Sequence, residues 1–86
     1  MTTTDDEEVI QHDDLWGVVD HIEASAKNAV NDSPDATLIE LRIKRFKRLK
    51  YDDRKFVRQR VTGRVIKDTH RLRVDEDDAR VYLERV

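Results

Sequence analysis

The apolar residues of this chain repeat with two different periods, and this change of period limits the folds open to it. Between Leu15 and Val30, six of them recur at helical spacing and lie within about 60° of Leu15 on a helical wheel: Val18, Val19, Ile22, Ala26, Ala29 and Val30. Asp13 or Asp14 supplies a capping oxygen at the start of this run. Pro34 ends it, because proline restricts the preceding residue to extended angles. The pattern predicts an amphipathic helix from about residue 14 to residue 30 or 31.

Residues 37–50 favour a strand but also fit a helix. Ile39, Leu41 and Ile43 alternate with charged residues, which is typical of a half-buried strand. The alternation changes phase near Arg45, and a β-bulge explains that change within one strand over residues 37–50. In the alternative, Pro34 opens a second helix. That helix would carry an apolar stripe formed by Ile39, Ile43, Phe46 and Leu49.

Alternating apolar and polar residues predict three further strands. Residues 57–65 and 70–74 alternate in this way and form a predicted hairpin, while residues 79–84 fit a fourth strand, with a closing helix as the alternative. The predicted fold class is α+β: one N-terminal amphipathic helix packed on a small antiparallel sheet of three to four strands. The element order is α-β-β-β-β, with the strands in a meander. A helix over residues 37–50 would instead give a mostly helical fold with a hairpin from residue 57 to residue 74.

Length and composition predict one small domain over residues 12–86. The chain has 86 residues, no cysteine and 37% hydrophobic residues, so it has neither disulfides nor thiolate ligands to support a small core. Residues 1–11 are mostly polar and acidic, and we expect them to form a disordered arm. They contain no apolar run long enough for a signal peptide or a membrane span, so we expect a cytoplasmic protein.

Charge is distributed very unevenly along the chain. The whole chain carries a net charge of −2, but residues 1–35 carry −9, residues 36–74 carry +10 and residues 75–86 carry −3. Such asymmetry has two physical explanations: either the basic middle binds an external anion, or it is neutralised by the acidic ends of the chain or by a second subunit.

The predicted strands place many basic residues on one face of the sheet. Because side chains alternate along a strand, the face turned away from the helix would be rich in arginine and would carry Arg80 on the last strand. Cations directly opposite one another destabilise a sheet, so an anionic ligand is the natural explanation for such a face. The candidate nucleic-acid-binding residues are Arg42, Lys44, Arg58, Arg60, Arg64, Arg71 and Arg73. The candidate rings for stacking on bases are Phe46, Phe56 and Tyr82.

Two functions are consistent with this face. The first is a small non-enzymatic binding module for RNA or single-stranded nucleic acid, with RNA favoured over DNA. The alternative is a homodimeric or adaptor domain whose basic face binds an acidic protein surface or its own acidic arm, which includes Asp5, Asp6, Glu7 and Glu8. Alternation of arginine with valine is also typical of any half-exposed sheet. No membrane or small-molecule ligand is expected.

The sequence contains no pattern typical of an active site. Its three histidines are His12, His21 and His70; the first two lie on opposite sides of the predicted helix, and the third is expected to be a partly buried sheet residue. The paired acids are adjacent in sequence, which does not bring two carboxylates together for acid–base catalysis. With no glycine-rich phosphate loop either, we expect a non-enzyme without cofactor or metal.

Overall fold

The computed structural model describes residues 12–75 and 80–86, with side chains from Asp14 onwards. The predicted acidic arm, residues 1–11, lies outside the described residues. The helices are α1 (His12–Asp32), α2 (Lys44–Lys47) and α3 (Tyr51–Val61). The strands are β1 (Leu38–Leu41), β2 (Val65–Ile66), β3 (His70–Asp75) and β4 (Arg80–Arg85). They form one antiparallel sheet in the order β1-β4-β3-β2, and the helices pack on one of its faces. The α+β class is confirmed.

Helix α1 buries the apolar stripe that its period predicts. Its buried side chains recur at helical spacing from Leu15 to Val30, and its charged side chains from Asp14 onwards are exposed or, at Glu23, half-buried. Leu72 of β3 and Leu83 of β4 belong to the same hydrophobic core. Burying each such side chain stabilises the fold by about 1.5–3 kcal/mol before entropy is counted, so the N-terminal helix holds much of the core together.

The predicted strand over residues 37–50 is wrong beyond Leu41. Only β1 is extended, and a single helical turn, α2, follows it. Ile43, Phe46 and Leu49 are all buried and are spaced three residues apart, which puts them on one side of a helical turn but on both faces of a strand. The phase change near Arg45 therefore marks the start of a helix and not a β-bulge.

The predicted strand over residues 57–65 is also wrong, because most of it belongs to α3. Val57 and Val61 are fully buried and four residues apart, a spacing that fits both one helix face and one strand face. Gln59, which a strand would place on that same buried face, is exposed. The acids of the first turn and the arginines of the last turn suit the helix dipole. Gly63, with φ +88°, takes the left-handed conformation that commonly ends a helix.

The last two strands are confirmed, but the sheet is not a simple meander. Strand β3 pairs with β4 from Asp75↔Arg80 to His70↔Arg85, and β2 forms a short hairpin with the start of β3. The first strand does not pair with the second; it pairs with the last, in the register Leu38↔Glu84 to Leu41↔Val81. The chain therefore enters α2 beside the first residues of β4.

His70 joins the sheet to the turn after α1 and is fully buried. Its Nε2 lies 2.7 Å from the carbonyl oxygen of Ala36, and its Nδ1 lies 2.8 Å from Oγ1 of Thr69. A neutral ring satisfies both contacts, because Nε2–H donates to the carbonyl and Nδ1 accepts from the hydroxyl. The prediction of a sheet residue is confirmed, with complete burial in place of partial burial.

Candidate nucleic-acid interface

The strongest concentration of positive charge lies on α2, α3 and the segments that flank them. Residues 42–64 include eleven basic and two acidic residues, a net charge of +9. Eight of the eleven basic residues are exposed to solvent; one of them, Arg64, forms an ion pair with Glu23. The other seven form what we call the cationic surface: Arg42, Lys44, Arg45, Lys47, Arg48, Lys50 and Lys55.

The local fold explains why these side chains point outwards. Because Ile43, Phe46 and Leu49 turn one side of the α2 region into the core, the charged residues between them face solvent. Arg54 then fixes the start of α3 against this turn: its Nη1 donates a 2.7 Å hydrogen bond to the carbonyl oxygen of Leu49. The outward direction of the cations is therefore set by the apolar residues and by this bond.

The cations of this surface have no anionic partner within the described part of the chain. None of the seven side chains forms an ion pair or a hydrogen bond with another residue in the ranges 12–75 and 80–86. Like charges three or four residues apart on a helical turn, such as Lys44 with Lys47 and Arg48, repel each other by about 0.2–0.5 kcal/mol per pair. The surface is thus slightly unfavourable for folding and suited to an external anion.

Two of the predicted binding arginines are used inside the fold. Arg64 forms an ion pair with Glu23 of α1, and its Nε donates a 2.8 Å hydrogen bond to the carbonyl oxygen of Arg60. The Cζ of Arg60 lies 3.5 Å from the centre of the Phe56 ring and 5.3 Å from that of Trp16. Its Nη1 also donates a 3.1 Å hydrogen bond to the carbonyl oxygen of Phe56. Both arginines therefore help to hold α3 in place, and Arg58 on the same helix is half-buried.

The three predicted stacking rings are covered by other side chains. Phe46 is 1% exposed and belongs to the core. Phe56 lies under the guanidinium of Arg60 and meets the edge of Trp16, with ring centres 5.8 Å apart at 82°. Tyr82 lies on the open face of the sheet, where the Cζ of Arg73 is 4.6 Å from its ring centre.

The open face of the sheet, turned away from the helices, is not an arginine-rich face. The prediction is wrong because α2, α3 and the residues that flank them take five of its eight basic residues, and because carboxylates share the face with the three that remain. Each row of neighbours across the strands combines acid and base: Glu84 beside Arg71, Glu40 and Arg73 on either side of Tyr82, and Asp75 beside Arg80. The Nε of Arg73 lies 2.9 Å from Oε2 of Glu84, and that of Arg80 lies 4.0 Å from Oε2 of Glu40. These three acids and three bases cancel.

The sequence-based prediction thus identified Arg42 and Lys44 of the cationic surface and missed the other five members. It placed Arg45, Lys47, Arg48 and Lys50 on an irregular strand and did not consider Lys55. The signal that could have found them is the three-residue spacing of the apolar residues from Ile43 to Leu49, which is helical.

Among residues 12–75 and 80–86, no group of three or more histidine or acidic side chains is arranged to hold a metal ion. The helices of the same residues are too short or too polar to cross a lipid bilayer. Comparison of the chain with family models, with curated proteins and with solved structures gave no match. The function of the chain therefore has to be inferred from its own residues.

Proposed function

We propose that the protein is a binding module for nucleic acid and that the cationic surface of α2 and α3 is the part that contacts it. The observation that carries the proposal is the presence of seven exposed Lys and Arg side chains, grouped within residues 42–55, without an anionic partner among the described residues. Phosphates of a nucleic acid present a row of negative charges that such a group neutralises.

The fold supports this proposal by holding the backbone of the α2 turn in place and by grouping the two nearby carboxylates in one turn. Asp52 and Asp53 are the two acids of residues 42–64, and they lie together in the first turn of α3. The α2 turn is held by three buried apolar residues and by the hydrogen bond from Arg54 to Leu49. A surface that is already ordered loses little conformational entropy when it binds, which favours affinity.

Phosphate binding makes a quantitative prediction about salt. Each neutralised phosphate releases counterions, so five contacts give a slope of about −4.5 in a plot of log affinity against log salt concentration. Between 50 and 200 mM salt, that slope lowers the affinity roughly 500-fold. Fluorescence anisotropy of a labelled mixed-sequence oligonucleotide, titrated with the full chain over this salt range, measures the slope directly.

A matched pair of variants tests which surface is responsible. The first variant changes Lys44, Lys47 and Arg48 to Gln, and we expect it to bind at least tenfold more weakly with a slope reduced by about 2–3. The control changes Arg71, Arg73 and Arg80 of the open sheet face to Gln, so it removes the same charge from the other surface. We expect its affinity to stay within about threefold of the parent, and thermal unfolding checks that both variants are folded.

Two results would contradict the proposal. One is the absence of binding at 50 mM salt to single-stranded and double-stranded oligonucleotides alike. The other is equal loss of affinity in the two variants, which would mean that net charge and not this surface is responsible. If nucleic acid does not bind while polyglutamate does, and the Lys44, Lys47 and Arg48 variant loses that binding, the partner is an acidic protein.

A further inference from the structure

The cationic surface differs from a surface built for single strands in one respect: it has charge without a group of exposed rings. Proteins that bind single strands combine a basic groove with aromatic side chains on which the unstacked bases lie, and each such base contributes about 1–3 kcal/mol. We infer that the nucleic acid bound by this protein is a double helix, contacted through its phosphates. This inference rests on the proposed function and specifies its ligand.

The burial of the aromatic residues is the first observation that carries the inference. Phe46 is in the core, and both neighbours of Phe56 in the aromatic cluster, Arg60 and Trp16, are already in contact with its ring. Tyr82 lies on the other side of the molecule from the helices and is covered by Arg73. Each of these three rings is thus already engaged in an internal contact.

Two partly exposed rings remain in the described part of the helical layer, and they do not form a platform. Trp16 is 44% exposed, but the guanidinium of Arg60 and the ring of Phe56 lie against it. Tyr51 is 54% exposed at the start of α3, next to Lys50 of the cationic surface. A single tyrosine can stack on one base, whereas single-strand binding surfaces use several rings in succession. Tyr51 is therefore the residue that tests the inference.

The second observation is that the surface consists of lysine and arginine side chains, which recognise phosphate and charge density. A double helix carries one charge per about 1.7 Å of its axis, more than a single strand, and it releases more counterions per contact, about 0.9 against about 0.7. For five contacts this difference corresponds to roughly 20-fold in affinity at 50 mM salt. A surface that recognises only charge thus binds a double helix more tightly than a single strand.

The experiment compares four labelled ligands with the full chain at 50 and 150 mM salt. They are a 20-base-pair DNA duplex of mixed sequence, each of its two strands alone, and an RNA duplex of the same sequence. We expect at least one duplex to bind fivefold or more tightly than either strand and to show the steeper salt slope. Tighter binding of one duplex would support the inference and identify the ligand as DNA or RNA. Equal binding of both would support the inference and show that the surface accepts either duplex.

Variants of Tyr51 separate charge from stacking. We expect Tyr51→Ala to leave the affinity for the single strands within twofold of the parent. Tyr51→Leu is the control because it keeps an apolar side chain but has no flat ring. Single strands that bind as tightly as the duplexes, or a fivefold loss of single-strand binding in Tyr51→Ala but not in Tyr51→Leu, would overturn the inference and leave nucleic-acid binding intact. Failure of all four ligands to bind at 50 mM salt would overturn the proposed function itself.

Discussion

The open face of the sheet and the cationic surface of the helices use the same residue types in opposite ways. On the open face, Arg71, Arg73 and Arg80 each have a carboxylate or a tyrosine as a cross-strand neighbour, and three acids balance three bases. On α2 and the start of α3, seven cations lie close together in sequence, without an anionic partner in the described ranges. The number of arginines on a surface therefore says little about what the surface binds. What matters is whether the fold has already neutralised them.

The physical cause of this difference is the way in which each element brings residues together. In the antiparallel sheet, a basic residue of β3 lies opposite a residue of β4 that is distant in sequence, so an acidic segment can neutralise a basic one. In α2 the residues three and four positions from an exposed side chain belong to the same short basic segment. We therefore expect changes on the sheet to affect stability and changes on the cationic surface to affect binding.

The largest effect should come from reversing charge on the cationic surface. Changing Lys44, Lys47 and Arg48 to Glu should lower affinity for a DNA duplex by about 100-fold or more at 50 mM salt, because three phosphate contacts become repulsive. The control exchanges the two charges of one ion pair of the sheet, Arg73→Glu with Glu84→Arg, which preserves the net charge of the chain. We expect its affinity, measured by fluorescence anisotropy, to stay within twofold. A comparable loss in the exchanged pair would abolish the distinction between the two surfaces.

The second-largest effect is expected at Arg60. It lies in the basic segment, but like the arginines of the sheet it already has a partner inside the fold. Arg60→Ala should lower the free energy of unfolding by about 1–2 kcal/mol, because it removes the contact with the Phe56 ring and the hydrogen bond to that residue's carbonyl. Arg60→Lys should recover only part of this loss, since an ammonium group cannot stack as a plane. Urea denaturation followed by circular dichroism measures both variants.

Lys55 is the matched control for Arg60, because both are basic residues of α3 and Lys55 is exposed. Lys55→Ala should change the free energy of unfolding by less than about 0.5 kcal/mol and should weaken nucleic-acid binding. Arg60→Ala should thus lower the free energy of unfolding more than Lys55→Ala does, and Lys55→Ala should lower the affinity for nucleic acid more than Arg60→Ala does. If both variants lost affinity and neither lost stability, Arg60 would belong to the surface that binds nucleic acid.

A smaller effect is expected from the ion pair on the sheet. Arg73 and Glu84 are each almost half exposed, so Glu84→Gln should lower the free energy of unfolding by about 0.5 kcal/mol. A double-mutant cycle with Arg73→Gln should give a coupling energy of similar size, which falls as salt is raised. A coupling energy of zero at low salt would show that these charges neutralise the face without stabilising it.

The sequence-based prediction succeeded where one period runs unbroken through an element. The apolar positions of α1 match a helix alone, and Leu72 in β3 and Val81 and Leu83 in β4 match a strand alone, so these elements and the α+β class are confirmed. The prediction of α3 failed because Val57 and Val61, four residues apart, are compatible with both periods. The choice between them is made by packing against α1, a contact that is distant in sequence.

The candidate interface was predictable in its charge but not in its shape. The basic segment is visible as a net charge of +10 over residues 36–74, and that count does not depend on secondary structure. Which face each side chain occupies does depend on it: one wrong strand moved Arg58 and Arg60 of α3, and Arg64 from the turn after it, onto the sheet. Strand alternation alone places Glu40 and Glu84 on the open face, and the prediction left them out; what it could not give is the pairing of β1 with β4, which brings Glu40 close to Arg80, forty residues away.

The smallest expected effect is a gain in folding stability when one charge of the cationic surface is reversed. Lys44→Glu should raise the free energy of unfolding by about 0.5 kcal/mol while it weakens nucleic-acid binding. The new carboxylate would lie in the first turn of α2, which has no acidic residue, and three and four residues before Lys47 and Arg48. It would thus replace two repulsions by two attractions and suit the positive end of the helix dipole.

Lys44→Gln, which removes the repulsions without adding attractions, should give about half the gain, and paired urea denaturation curves measure both. A loss of stability in both variants would mean that Lys44 has a structural role, in which case the cationic surface would not be maintained at the expense of folding stability.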